Sequence, residues 1–147
     1  MKDEIFKNLY NNRMLRNSTE IEKYENNLNL LSENFSEEDI INLCLTFEDK
    51  THNTEVMFGA IHLLESLSSE VAYENTIIGI IKMYVSAPEW ANIITYRILN
   101  DEFSVKMVKS IYNRMEKNIS AKFKGILEAI KQDDCEKFGN SISIILG

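Results

Sequence analysis

Few side chains in this sequence are equipped for bond-making chemistry: two histidines, His52 and His62, and two cysteines, Cys44 and Cys135. Nucleophilic catalysis needs a Ser, Cys or Thr activated by a positioned base. His52 falls in the turn-forming run Lys50-Thr51-His52-Asn53, where it is solvated. Cys44 falls on an apolar helical stripe, which makes it a buried structural thiol. No G-x-S-x-G elbow, H-E-x-x-H pair or Walker-type glycine loop occurs. A metal site needs clustered ligands, and His62 with Glu65 at i, i+3 offers only two. Helical carboxylate metal sites use Glu-x-x-His from two helices, whereas here the order is reversed and occurs once. Glutamate is abundant, yet nothing in its spacing brings two carboxylates together for acid–base work. These residues point away from an enzyme, a resident metal and any cofactor.

A different constellation fits binding. Over residues 54–66, Met57, Ala60, Ile61 and Leu64 form one apolar helical face. Glu55, Phe58, His62 and Glu65 form a second stripe beside it at i, i+3, i+7, i+10. Farther along, Trp90, Ile94, Arg97 and Asp101 repeat the mixture, flanked by Glu89, Tyr96 and Asn100 and followed by Glu102. If the two stripes share one concave surface, aromatic and arginine anchors beside acids are what a protein-binding site uses. The competing reading is an internal network, with Glu65 or His62 bonded to Arg97 between neighbouring helical hairpins. The two readings are compatible.

These stripes need helices to carry them, and helical periodicity with start signals runs the length of the chain. A first helix is expected over 2–15, with Ile5, Phe6, Leu9 and Tyr10 on one face. Ser18 or Thr19 caps a second, Thr19 and Glu22 matching a capping box. Ser36-Glu37-Glu38-Asp39 places a cap and three carboxylates before Ile40, Leu43, Cys44 and Phe47. Further helices are expected from Asn53 or Thr54 to Ser66, from Ser69 to Val85, and from Pro88 to Leu99. Asp101 caps another to Met115, Asn118 or Ser120 begins one to Lys131, and a short last one starts near Asp133. Hairpins starting near 36, 70 and 102 repeat every roughly 32–34 residues, the mark of an α-solenoid. The expected fold is one all-α domain over residues 1–147. It comprises eight or nine short helices in antiparallel hairpins, either α-solenoid-like or a compact bundle.

Composition narrows the class. The chain has 147 residues, 44% hydrophobic, with five glycines and one proline, which argues against a turn-rich β fold. The opening Met1-Lys2-Asp3-Glu4 leads into no apolar signal region, and no stretch approaches a membrane span. Two distant cysteines with no CxxC spacing favour a reducing cytosol. The net charge of −7 is uneven, since residues 36–104 hold twelve acidic side chains against three basic ones. Such a surface repels phosphate backbones and attracts basic partners. Lys117, Lys122, Lys124 and Lys131 read as a solvated face above Phe123, Ile126 and Leu127 rather than a nucleic-acid site.

Two segments carry a family resemblance. One is Thr54-Glu55-Val56-Met57-Phe58-Gly59-Ala60-Ile61-His62-Leu63-Leu64-Glu65-Ser66. The other is Ala87-Pro88-Glu89-Trp90-Ala91 with Tyr96-Arg97-Ile98-Leu99-Asn100-Asp101. Together they resemble the helical immunity proteins of bacterial polymorphic-toxin and contact-dependent growth inhibition systems, in particular immunity protein 30. The resemblance implies a cytosolic protein that binds the C-terminal toxin domain of a larger effector, many such toxins being nucleases with basic clefts. Phe58, Gly59, His62, Trp90 and Arg97 match the pattern, Gly59 more as a helix-packing residue than a contact. Glu55, Phe58, His62, Glu65, Glu89, Trp90, Arg97, Asp101 and Glu102 are the expected toxin-binding residues. The alternative is a helical-repeat scaffold with an endogenous partner.

Overall fold

Side chains with a spare oxygen start five of the helices. Asn17, Asn53, Ser69, Asp101 and Asp134 each accept the backbone N–H three residues on, satisfying a donor the helix itself leaves free. The structure, a computed structural model describing Met1–Gly147, contains nine α-helices and no strand. They are α1 (Lys2–Asn11), α2 (Ser18–Ser32), α3 (Ile40–Cys44), α4 (Thr54–Glu65), α5 (Glu70–Met83), α6 (Pro88–Leu99), α7 (Glu102–Arg114), α8 (Lys117–Asp133) and α9 (Cys135–Leu146). A 3₁₀ turn, Glu37–Asp39, leads into α3. The all-α expectation holds, and no helix is long and apolar enough to cross a membrane.

Three local expectations are corrected. The first helix ends at Asn11 rather than residue 15. Beyond it Leu15 adopts a left-handed φ of +50° while its side chain sinks into the core. Asn17, not Ser18 or Thr19, caps α2, because its extended backbone aims the amide oxygen at the Glu20 N–H. Glu20 turns back instead to clamp the Arg16 guanidinium, and its carboxyl falls to about 2. After Ser36 the chain makes the 3₁₀ turn and only five α-helical residues. The Asp39 carboxylate there accepts the Ser36 N–H and the Lys2 ammonium at 2.7 Å, tying α1 to α3.

Packing reproduces the spacing of the hairpins. α3 lies against α5, α5 against α7 and α7 against α9, while α1 pairs with α2 and α8 with α9. Partners about one repeat apart touch. Ser69 bonds Glu37 across 32 positions, and Tyr73 bonds Ser104 across 31. The buried apolar side chains form one continuous cluster from Ile5 to Ile145, each fully buried Leu, Ile or Met contributing about 1.5–3 kcal/mol.

Cys44 lies wholly inside that cluster, and burial pushes its thiol up to about 12. Cys135 is exposed. Iodoacetamide is therefore expected to modify one thiol per native chain at neutral pH, and both only after denaturation. Mass spectrometry counts the adducts, and two on the native chain would contradict the buried position of Cys44.

Candidate partner-binding surface

α4 and α6 run side by side through their side chains. Near their starts the Phe58 and Trp90 rings meet edge to face, with centroids 5.1 Å apart. Near their ends Arg97 grips Glu65 with two parallel bonds, Nε to Oε2 at 2.6 Å and Nη2 to Oε1 at 2.8 Å. Both contacts join positions 32 residues apart, so the two stripes do lie next to each other. The apolar faces point inward, with Met57, Ala60, Ile61 and Leu64 on α4 and Ile94 and Ile98 on α6 all buried.

The expected residues separate by exposure. Trp90 is 3% exposed. Its indole N–H donates to the Glu48 carbonyl at 2.9 Å and its ring packs on Phe47 as well as Phe58, so it braces the surface from beneath. Phe58 is half-buried over it. Glu55 and His62 on α4 and Glu89 on α6 are exposed, as are Asp101 and Glu102 at the start of α7. Glu65 and Arg97 neutralise each other, with 44% and 42% of their side chains exposed. That is the network foreseen as the competing reading, and His62 takes no part in its bonds. At 1.5 Å rise per residue the stripe from Glu55 to Glu65 is about 15 Å long.

The start of α6 is held by a residue that local sequence does not reveal. Pro88 occupies the first turn as expected, but Ala87 has no side-chain oxygen to cap it. Asp49, in the turn after α3, reaches over instead and accepts the Glu89 and Trp90 N–H groups at 3.0 and 3.1 Å. This carboxylate satisfies two orphan donors and complements the helix dipole. Asp49→Ala is expected to lower stability by about 1–2 kcal/mol in urea denaturation and Asp49→Asn by less, since the one amide oxygen can still accept one of the two N–H groups. Equal loss in both variants would mean that a single capping oxygen is worth nothing here without the second oxygen and the charge.

At the far end of the stripe a cleft of about 480 Å³ opens between the ends of α4 and α6 and the starts of α5 and α7. Asp101 caps α7 at its edge, accepting the Ser104 N–H at 3.0 Å and the Ser104 hydroxyl at 2.6 Å. The Ser104 hydroxyl has one proton and gives it to Asp101, so Tyr73, 2.7 Å away, must donate to Ser104. The two Ser104 bonds hold the Asp101 carboxyl below its ordinary range. The cap is therefore present above that range and lost as pH falls through the lowered value. Tyr73, Ser104 and Leu67 were not foreseen as part of the site. Only the 31-residue offset between Tyr73 and Ser104, close to the repeat length, hinted at it.

The family model of immunity protein 30 matches residues 11–108, about two-thirds of the chain. This chain belongs to that family. The match contains every one of the nine expected binding residues and both walls of the cleft, and it ends before α8 and α9. No curated protein and no solved structure matches the chain. As an immunity protein it has a toxin for a partner.

Proposed function

We propose that this immunity protein neutralises the C-terminal toxin domain of an effector encoded beside it in a bacterium, working in the cytosol. It does so by covering a basic, nucleic-acid-binding cleft of a nuclease. The observation that carries the reading is four exposed carboxylates, Glu55 and Glu89 in the first turns of α4 and α6 and Asp101 and Glu102 at the start of α7. Against a nuclease's basic cleft these charges speed encounter and fix register. Phe58 and His62 between them supply contact area, with Trp90 stiffening the face from below and Glu65–Arg97 closing one end. Inhibition by this route needs shape and charge, and no chemistry on the immunity protein's side.

The test is a growth rescue. The C-terminal domain of the large open reading frame immediately upstream is induced in bacteria with and without this chain. Restored growth, with the two proteins co-purifying, is the expected result. Continued toxicity with both proteins soluble would overturn the pairing and favour a helical scaffold with an endogenous partner.

A further inference from the structure

We propose that the cleft between α4, α6 and the start of α7 is a socket for one arginine or lysine side chain of the toxin. The inference rests on the toxin-binding reading above and names the contact within it that holds the complex together.

Three features of the cleft select that occupant. Its walls are apolar where Leu64, Leu67 and Ile98 line it, which suits the methylene stem of a long cationic side chain. Its edge carries a carboxylate with unused capacity, because both Ser104 bonds fall on Asp101 Oδ2 and Oδ1 accepts nothing from the protein. Its charge is negative by one, since Glu65 and Asp101 face only Arg97, and Glu65 already engages Arg97 through both oxygens. An anionic side chain would meet Asp101 at close range. A neutral apolar one would strip water from Oδ1 without replacing its hydrogen bonds, a net cost. A guanidinium or ammonium supplies a charge-assisted bond to Oδ1 while its stem covers the apolar wall. The Tyr73–Ser104–Asp101 hydroxyl chain keeps the carboxylate in place before the partner arrives, so little ordering is left for binding to do.

A plugged socket and a row of surface charges differ in kinetics. Peripheral charges act mainly on association, whereas a desolvated charge pair acts on dissociation. Both rates are measured by surface plasmon resonance on the full chain and the toxin domain. Asp101→Asn keeps the α7 cap, since asparagine caps as well as aspartate, and removes the charge. Leu67→Trp narrows the cleft from its rim by bulk alone. Each is expected to speed dissociation at least about tenfold; Leu67→Trp should change association less than about twofold and Asp101→Asn no more than Glu89→Gln, which slows association and leaves dissociation within about twofold. Asp101→Asn and Leu67→Trp complexes that dissociate within about twofold of the wild type would overturn the socket and leave toxin binding intact. A wild-type chain that does not bind the toxin domain at all overturns the toxin-binding reading, and the socket with it. Either variant decides the matter if the other fails to fold.

Discussion

Replacing Gly79 with alanine is expected to destabilise the protein by up to about 2 kcal/mol although it puts a better helix former inside α5. A Cβ at this position would lie 2.5 Å from Cys44 Sγ and 3.0 Å from Cys44 Cβ. Cys44 is fully buried, so its sulfur has no open space to turn into, and its Cβ is fixed to the α3 backbone. With Cys44 Cβ this close, α3 itself would have to shift slightly away from α5, whereas the Ile41 Cα at 3.9 Å is only in ordinary contact. Helix propensity returns roughly 1 kcal/mol, and overpacking at such a contact costs about 1–3. Urea denaturation should show a lower midpoint with an unchanged slope. Cys44→Ala in the same chain removes the sulfur and should recover part of the loss, with a coupling of about 0.5–3 kcal/mol. Strictly additive effects would mean that the two residues do not oppose each other. By contrast, Gly59 would bring a Cβ to 3.1 Å of Leu28 Cδ2, the mobile end of a side chain, so Gly59→Ala should be much milder.

The second large effect concerns binding rather than folding. Changing Glu55, Glu89 and Glu102 together to lysine is expected to slow association with the toxin domain by about 10- to 1,000-fold at low salt. The defect should shrink as salt screens the charges. All three are exposed, and neither Glu55 nor Glu89 has an ion-pair partner, so the core is untouched. Each sits in the first turn of a helix, where a lysine is unfavourable to the dipole by about 0.3–1 kcal/mol. The variant should therefore melt somewhat earlier yet remain folded, which circular dichroism checks. Loss of growth rescue by a folded triple variant is the expected outcome. An association rate that ignores both the substitutions and the salt concentration would remove the acidic face from the mechanism.

Local signals account for what was legible beforehand. Asn53, Ser69 and Asp101 cap helices where the sequence places them, because a cap needs only a side-chain oxygen three residues before a free N–H. The buried face Met57, Ala60, Ile61 and Leu64 follows from the 3.6-residue period alone. Where the same rules misread the start of α2, several oxygen-bearing residues compete within Asn17-Ser18-Thr19, and backbone direction rather than residue type decides among them. The short α3 was misjudged because an apolar period does not show where a turn must intervene. The chain turns after Cys44, and the Thr46 hydroxyl bonds the Leu43 carbonyl there.

The sequence by itself determined the helical class, most helix starts, the repeat length, the acidity of the middle segment and the family motifs in residues 54–101. These depend on neighbours within a turn or two of helix, or on composition. Tertiary structure alone decided that Trp90 faces inward, that Arg97 grips Glu65, and that Asp49 caps a helix 39 residues away. It also decided that Gly79 must stay small beside Cys44, and that Tyr73, Ser104 and Asp101 form one hydroxyl chain at a cleft. Each of these joins segments some 30–40 positions apart. Their distance and direction are set by how one hairpin stacks on the next, and no local pattern of residues encodes that.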